Sequence, residues 1–482
     1  MSLEECWVTR LKEIKSAFHG LLAGIFRSRR LIDSSSANSA IKFDGQILKY
    51  KNDNSKNQPM VDPVSGHRPL AALPKPPLRI CLLSSAYPPS RFGGVGRHTH
   101  LMAQGLFECG HTVHVITRSE REQTSFYDGA FVHGIPCQRK RYRRYRRLPT
   151  LHNSLNYSHC VHEKIKRLML NDGIQLVDSP MWLVEGLVTA VSGIIPVAVR
   201  LQTAHRQIAS LQHNRDEALR LMGEMEQSLL KLADFLIPNS IATLKNIREV
   251  YGLTPVQDRV SVIPHGIIPV PDEAIRPFGL GQTSDTLTVL YVGRLEKRKG
   301  ILDLFKAIPM VLEQIPRVHF TIVGSDNSQN DGFRRRTGMD YPSYFAEHYP
   351  PLVSRVRFTG RVSDQTLEDL YQSCDLFVAP SLYESFGLVY LEAMNYAKPV
   401  IGGRAGGVPE VIDEGITGLL SDPEDPASLA DAILKLLGSS NQLREMGLAG
   451  RQRLLQHFTY TKMARQFAEV YRLMIESSAR RS

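Results

Sequence analysis

Two glutamates that flank a predicted helix start are the residues of this sequence best suited to binding a polar ligand. In the stretch APSLYESFGLVYLEAM, Glu384 lies in a turn after an apolar strand, and Glu392 follows after seven intervening residues, inside an apolar run of helical character. At about 1.5 Å of rise per residue, one ligand can contact both carboxylates. A solvated helix start with a surface glutamate is the alternative interpretation of this spacing.

The peptide groups between these glutamates favour an anion. The first amides of a helix lack intrahelical partners and carry the positive end of its dipole, which suits them to phosphate. The expected ligand therefore has an anionic centre with hydroxyl groups on both sides. A sugar nucleotide fits, with its sugar on Glu384, its diphosphate on the amides of Phe386, Gly387 and Leu388, and its ribose diol on Glu392.

Two cations follow an apolar strand in the same half of the chain. Arg294 and Lys299 stand at the mouth of a loop with glycines on either side, where they would neutralise a diphosphate and support it as a leaving group. Lys297 and Arg298 lie between them and are expected to be solvated.

The first half of the chain offers a glycine loop and a histidine. Gly93 and Gly94 open the run GGVG, whose backbone can approach a phosphate or sugar closely, and a helix is predicted from about His98. Arg97 stands where a dinucleotide fingerprint needs a third glycine, which argues against a nicotinamide cofactor. His205 follows a predicted strand, at the edge where open α/β sheets bind ligands, and a purely structural role for it stays open.

Alternating strands and helices must position these residues. The alternation begins at Arg79, is interrupted by a Pro- and Gly-rich hinge candidate at 269–285, and then restarts. The pattern predicts an α/β protein with two Rossmann-like, doubly wound parallel-sheet domains facing a cleft. The expected boundaries are an N-terminal extension at 1–78, a first domain at 79–268, a second at 269–455 and a C-terminal helix at 456–482 that crosses back to the first domain.

Composition excludes several classes of protein. The 482 residues are 42% hydrophobic and 22% charged, as in an ordinary globular chain, and the formal net charge of +11 suits an anionic ligand or surface. The six cysteines are scattered without metal-binding spacing, so we expect a reducing cytosol and no metal. No apolar run reaches the roughly 18 residues of a spanning helix, and Glu4 and Glu5 argue against a secretory signal.

Two segments of the sequence have compositions that suit contact with a surface. Residues 4–30 carry an apolar stripe flanked by basic residues, which fits either an anionic membrane surface or packing on the chain's own domain, and the linker at 31–78 is polar and Pro-rich. The run QRKRYRRYRR at 138–147 fits a solvated loop or an anionic lipid or acceptor, and fits nucleic acid less well because no nucleic-acid motif accompanies it.

Taken together, these motifs resemble glycosyltransferase family 4, the retaining GT-B enzymes of the glycogen-synthase-like group 1. The resemblance covers about residues 79–475 in order. It implies that Glu384 contacts the donor sugar, that Glu392 contacts the donor ribose, and that Arg294 and Lys299 bind the diphosphate. It further places Gly93 and Gly94 over the phosphate, His205 near the reacting sugar and Val362 against the nucleotide base. His265 stands where many members have Asn, which is a departure from the family pattern.

The resemblance also implies a chemistry. A hexose would move from a nucleotide-diphosphate sugar to a hydroxyl of a saccharide or lipid acceptor, with retention of configuration and without a metal. The basic run and the N-terminal stripe favour an acceptor at the inner face of a membrane, and a cytoplasmic enzyme peripheral to it. The alternative is an inactive protein of the same fold that binds anionic membrane or nucleic acid through its basic run.

Overall fold

The structure is a computed structural model, and it describes residues 76–89, 93–137, 142, 145–211, 217–253, 259–275 and 286–479. The chain divides into two units, Met1–Pro76 and Pro77–Ser482, and the second unit holds all of the strands and helices below. The predicted N-terminal stripe, nearly all of the linker and most of the basic run lie outside the described residues.

The first half of this unit is built on a seven-stranded sheet of the described residues, in the order β3-β4-β2-β1-β5-β6-β7. All neighbours are parallel except the edge pair β3 and β4. The strands are β1 Arg79–Leu83, β2 Thr112–Arg118, β3 Gln123–Tyr127, β4 Ala130–Ile135, β5 Leu176–Pro180, β6 Val197–Leu201 and β7 Phe235–Pro238. The helices are α1 Gly94–Glu108, α2 Pro149–Asn171, α3 Leu187–Ser192, α4 His205–Leu211, α5 Glu217–Leu232 and α6 Ile241–Tyr251.

The second half is built on a parallel sheet of six described strands, in the order β10-β9-β8-β11-β12-β13. Its strands are β8 Leu287–Val292, β9 Val318–Val323, β10 Val356–Gly360, β11 Leu376–Ala379, β12 Val400–Gly403 and β13 Gly418–Ser421. Its helices are α7 Ile301–Gln314, α8 Phe333–Thr337, α9 Tyr341–His348, α10 Asp364–Ser373, α11 Leu388–Asn395, α12 Val408–Val411, α13 Pro426–Leu437 and α14 Ser440–His457, followed by α15 Tyr460–Ala479.

Short apolar runs form the central strands because both faces of each sheet are covered. All four residues of β11 are buried, as are the last four of β1, which is the pattern of a parallel sheet between two helix layers. Side-chain caps begin several helices where the sequence has Ser or Asp. Ser363 accepts a hydrogen bond from the Thr366 amide at 3.2 Å and so starts α10. The fold confirms the predicted α/β class with two doubly wound domains.

The start of α1 differs from the sequence prediction. The helix begins at Gly94 rather than near His98, and Arg97 N donates to Gly93 O at 3.0 Å within its first turn. Gly94 and Gly96 are poor helix formers, but Gly96 is buried, and tertiary packing extends the helix through the glycine run. Only Gly93 of this run remains outside the helix, as its N-cap.

The two passages of the chain between the halves run side by side. Ile267 pairs with Thr459 as an isolated parallel bridge, and Tyr460 N donates to Ile267 O at 3.0 Å. A Cβ on Gly266 would lie 2.4 Å from Thr459 O, so this contact needs a glycine. The α15 helix then packs on the first half, where Tyr471 Oη donates to Asp178 at 2.8 Å. The described part of the predicted hinge segment, residues 269–275, therefore begins beside this double crossing.

Each sheet has one point where the strand order reverses. In the first sheet this point lies between β1 and β5, and in the second it lies between β8 and β11. Open α/β sheets bind ligands in the crevice outside the carboxyl ends of such strands. The loops that follow these four strands carry most of the residues that could bind a ligand.

Candidate functional site

The centre of the second domain's edge is a buried ion pair. Lys299 follows β8 and Glu384 follows β11, and the Lys299 ammonium contacts the Glu384 carboxylate. The side chains are 18% and 15% exposed. The spacing of the loops depends on Gly300, which has φ of +70° and would place a Cβ 1.8 Å from Pro380 O. The sequence predicted both residues for one ligand, and the structure brings them into direct contact.

Neighbouring cations set the charge of this pair. Burial raises the pKa of Glu384, but Lys299, Arg298 and Arg294 together outweigh it and hold the pKa below the ordinary value. Burial lowers the pKa of Lys299, and the carboxylate of Glu384 opposes that shift only in part. The edge therefore brings the cations Arg294, Arg298 and Lys299 together with the carboxylates of Glu384 and Glu296, which suits an anionic ligand with hydroxyl groups.

Arg298 is not solvated, contrary to the sequence prediction. Its side chain is 11% exposed, its guanidinium contacts Glu296 at 2.6 Å, and it donates to Tyr383 O at 3.1 Å. Arg294 contacts the same carboxylate at 3.3 Å but is 56% exposed, which leaves its guanidinium accessible. The buried Glu296 is the reason for the error: it turns Arg298 inwards, and a local sequence pattern does not reveal it.

The backbone of the Glu384 loop is held from both domains. Gly407 N donates to Glu384 O at 2.8 Å, and the Ser240 hydroxyl of the first domain donates to Ser385 O at 2.7 Å. A Cβ on Gly407 would lie 2.3 Å from Ser385 O. The Gly406-Gly407 pair therefore permits close approach to the loop, and the carboxylate is positioned by rigid neighbours.

The predicted anion-binding turn begins α11. Gly387 is the N-cap, with φ of +99°, and a Cβ there would lie 2.5 Å from the Tyr390 ring. Among the described residues, the amides of Phe386 and Gly387 have no hydrogen-bond acceptor. Leu388 is the first residue of the helix, so its amide belongs to the first turn, whose N–H groups lack intrahelical partners.

Glu392 is paired across the domains. Its Oε1 lies 3.1 Å from Nη1 of Arg97 in the first domain, and its Oε2 accepts a hydrogen bond from Tyr371 at 2.8 Å. A cavity of about 340 Å³ adjoins this pair and is also lined by the interdomain residues 267–271. In the sequence, Arg97 is notable only because it replaces the third glycine of a dinucleotide-binding motif. Its pairing with Glu392 cannot be predicted from the residues around either side chain.

Val362 lies two residues beyond β10, after Gly360, whose φ is +65°. Its side chain is half-buried and packs against the core. Gly93 and Gly94 are both exposed, and an added Cβ on either would meet no atom within 4 Å. Open space therefore adjoins the glycine turn, as a loop that closes over a ligand requires.

His205 is held by a buried network in the first domain. Its Nδ1 lies 2.5 Å from Oε1 of Glu226, its backbone amide donates to the same carboxylate at 3.0 Å, and its ring stacks on Trp182 with 4.1 Å between centroids. Tyr251 donates its hydroxyl to Glu226 as well. The Glu226 carboxylate fixes the tautomer that presents Nε2 as an acceptor, and this partner comes from a helix to which the sequence alone gave no role.

Two further histidines, His98 and His265, contact each other between the domains. The rings of His98 and His265 are 4.0 Å apart, and the His265 ring contacts Phe386 with 4.9 Å between centroids. Burial and the charge of Arg200 lower the pKa of His265 to about 3, although Glu384 opposes them. His265 is therefore neutral at ordinary pH, and it supports the Phe386 turn through packing and a contact of 3.2 Å with Asn239.

The described part of the chain contains no group of three or more His, Cys, Asp or Glu side chains arranged to hold a metal ion. Its helices include none that is long and apolar enough to cross a membrane. Of the basic run, Tyr142 is buried and so presents no free ring for stacking, while Arg146 and Arg147 are exposed.

Comparison with known proteins gives consistent matches to both domains. The model of Glycosyltransferase Family 4 matches residues 92–269, and the model of Glycosyl transferases group 1 matches residues 273–453. Glycogen synthase of Mycobacterium tuberculosis is 28% identical over 418 residues, 82% of this chain and 94% of that protein. Alpha-maltose-1-phosphate synthase of Mycolicibacterium smegmatis is 28% identical over 424 residues, 82% of this chain and 99% of that protein.

A solved structure shares the whole architecture. Sucrose-phosphate synthase from Thermosynechococcus elongatus superposes with a TM-score of 0.66 at 26% identity, and the match covers 83% of this chain and all of that one. The two family models adjoin at residues 269 and 273, where the chain crosses between the two sheets.

Proposed function

Because the chain belongs to the family 4 glycosyltransferases, in group 1 of the GT-B fold, we propose that it transfers a hexose from a nucleotide-diphosphate sugar to a hydroxyl acceptor with retention of configuration. Residues 79–268 would form the acceptor domain and residues 269–455 the donor domain. The ion pair between Lys299 and Glu384 at the strand-order reversal is the observation that carries this proposal.

The position of several predicted residues supports the donor contacts that we propose. The diphosphate would bind Arg294, Lys299 and the open amides at Phe386 and Gly387, since these place positive charge on one side of the crevice. Glu384 would accept hydrogen bonds from sugar hydroxyls, and Glu392 from the ribose. Lys299 would then contact the diphosphate and Glu384 together, which fixes the sugar relative to its leaving group.

The proposed transfer reaction depends on the charges that develop on the sugar and on the diphosphate. As the bond from the anomeric carbon to the diphosphate stretches, the sugar gains oxocarbenium character and the diphosphate gains negative charge. Arg294, Lys299 and the helix amides stabilise the departing charge without a metal ion. His205, oriented by Glu226, would contact the sugar from the first domain. The acceptor would enter on the face that the diphosphate leaves, and that phosphate would take its proton.

The relatives leave the acceptor undecided. One is named for glycogen, while another and the solved structure are named for phosphorylated sugars. A saccharide acceptor is the class that these names share. Contact with the inner face of a membrane rests on sequence segments outside the described residues. Vesicle flotation of the full chain and of a variant neutralised at 139–147 tests it, and equal flotation of both would contradict a role for the basic run.

The test of the proposed function is a donor screen followed by product analysis. Thermal shift with UDP-, GDP- and ADP-sugars identifies the donor, because a ligand that binds only the native state raises the melting temperature. NMR of the anomeric carbon in the transfer product then reports configuration, and the same assay with a chelator tests the metal requirement. No stabilisation by any nucleotide sugar, or inversion at the anomeric carbon, would contradict the proposal.

A further inference from the structure

Among the described residues, an arginine at the carboxyl edge of the first sheet has no acidic partner. Arg118 is the last residue of β2, and its side chain is half-buried. Its guanidinium carbon lies 4.2 Å from the centroid of the Tyr157 ring, and its Nε is buried without a hydrogen-bond partner. Among the residues that the structure describes, no carboxylate lies within ion-pairing distance of this guanidinium.

Some buried or half-buried arginines are paired with acids, whereas others, such as Arg206 and Arg248, contact no carboxylate among the described residues. Three guanidinium groups each contact a carboxylate: Arg200 with Asp178, Arg298 with Glu296, and Arg451 with Asp272. Arg118 belongs to the second group, and withdrawing a cation from water without a counter-charge is unfavourable. The Tyr157 ring covers one face of the guanidinium, whereas its N–H groups point outwards in the plane of the group. Because Nε is buried, only the terminal N–H groups of Arg118 are available to an anion.

A cavity adjoins this arginine. It has a volume of about 570 Å³ and lies at the carboxyl ends of β1 and β2, on the edge where a doubly wound sheet binds its ligands. The Thr117 hydroxyl is buried there without a partner, and Arg118, Arg121, Gln123 and Ser125 supply further polar groups to the lining. Glu120 is the one acid in the described lining, so the two arginines leave it positively charged.

Glu185 acts on Arg118 electrostatically, but it does not contact the guanidinium and so does not compete with a ligand for it. Glu185 lies after β5, across the strand-order reversal, and its Oε1 accepts a hydrogen bond from Ser85 N at 2.9 Å. Burial raises the pKa of Glu185 even though Arg118 and Arg200 oppose the shift. Its Oε2 is buried and has no hydrogen-bond partner among the described residues, and Glu185 forms no ion pair with Arg118 there.

We propose that Arg118 binds the phosphate, or an equivalent oxyanion, of a phosphorylated acceptor in this cavity. The acceptor class is then a hydroxyl compound that carries an anionic group, either a soluble sugar or polyol phosphate or a lipid with a phosphate headgroup. As an acceptor site this rests on the proposed function, because only a transferase needs one. As an anion site it rests on the unpaired guanidinium and the cavity, and it can be tested without a donor.

The test is calorimetric titration of the full chain with glucose 6-phosphate, glucose and inorganic phosphate. Wild type is expected to bind glucose 6-phosphate at least about tenfold more tightly than glucose, because charge-assisted hydrogen bonds to a guanidinium are the strong ones. Arg118→Gln is expected to remove this preference, and Arg118→Lys to retain part of it. Co-sedimentation with equimolar phosphatidylcholine and phosphatidic acid vesicles, against phosphatidylcholine alone, distinguishes a lipid phosphate from a soluble one.

Two control variants separate this site from other basic groups. Arg294→Gln, in the predicted diphosphate site, is expected to keep the preference for glucose 6-phosphate, and so is Arg220→Gln, on an exposed helix of the first domain. Equal binding of glucose and glucose 6-phosphate by wild type, or loss of the preference in Arg294→Gln instead of Arg118→Gln, would overturn the inference. If Arg118→Gln fails to fold, the inference is tested in Arg294→Gln by asking whether inorganic phosphate competes with glucose 6-phosphate for binding. A lack of competition would overturn the inference.

The donor screen keeps the two proposals distinguishable. A chain that binds glucose 6-phosphate through Arg118 but no nucleotide sugar would contradict the proposed function and leave the anion site standing. A chain that binds a nucleotide sugar but prefers glucose over its phosphate would retain the proposed function and lose this inference.

Discussion

Arg97 of the first domain and Glu392 of the second form an ion pair across the cleft, with 3.1 Å between Nη1 and Oε1. The Glu392 side chain is 10% exposed and the Arg97 side chain 45%. The family resemblance assigns this carboxylate to the ribose of the donor. The acid that would bind the nucleotide is thus held by a cation of the opposite domain. Donor binding would have to replace Arg97 or share Glu392 with it.

Arg97→Gln is expected to tighten donor binding. Glu392 would no longer have to leave a cationic partner, and a half-exposed ion pair contributes at most about 1 kcal/mol, so the dissociation constant should fall by up to about fivefold. Donor titration calorimetry measures this. Arg404→Gln is the matched control, because Arg404 is equally exposed at 45% and pairs with Glu414 within the second domain. Weaker donor binding by Arg97→Gln would instead mean that Arg97 contacts the donor.

Glu384→Gln is expected to lower kcat/KM by about 10² to 10³, as removal of one preorganised polar group from a reaction centre does in other enzymes. Lys299→Met should cost a similar factor, and the double variant little more than either, because the two side chains act as one unit. Steady-state kinetics of the three variants makes the comparison. Additive losses would show that the ion pair is not the functional element.

Neutral His265 predicts a loss of stability in acid. Burial lowers its pKa from 6.5 to about 3, so between these values the unfolded chain binds more protons than the folded one and stability falls as pH falls. Each unit of pH in this window lowers the free energy of unfolding by at most about 1.4 kcal/mol for this group. Other buried histidines share the direction, including His133, whose pKa burial also lowers to about 3.

Urea unfolding at about pH 7 and about pH 5 measures this loss of stability, because the two values lie on either side of the pH at which the loss begins. His265→Asn should show a smaller difference between the two conditions than wild type. His348→Asn changes an exposed histidine and should leave the difference unchanged. The same pH sensitivity in wild type and His265→Asn would show that His265 does not contribute to acid instability.

Gly300→Ala is expected to destabilise the chain and displace Lys299. The left-handed backbone costs a non-glycine residue about 1 to 2 kcal/mol, and the new Cβ would also lie 1.8 Å from Pro380 O. Gly252→Ala is the matched control: its φ of +58° is similar, but a Cβ there meets no atom within 4 Å. Thermal unfolding should therefore show a larger loss for Gly300→Ala, and equal losses would rule out the steric contact with Pro380.

The sequence by itself determined the architecture and the local geometry of the donor loops. Buried apolar runs separated by helical periodicity specify parallel strands in both domains, since only a sheet covered on both faces accommodates them. Gly387 before an apolar helix, and Glu384 in the turn before it, were identified from neighbouring residues alone. These features depend on backbone preferences and hydrophobic pattern within about ten residues, which a single sequence displays directly.

Only the tertiary structure decided which side chains meet. The pairing of Arg97 with Glu392, of Arg298 with Glu296 and of His205 with Glu226 depends on where helices and loops pack, and the sequence pattern carries no signal for it. Likewise, only the tertiary structure shows that no carboxylate of the described residues lies within ion-pairing distance of Arg118. An ion pair depends on distance in space and on burial, and both quantities arise only after the two sheets and their covering helices have packed.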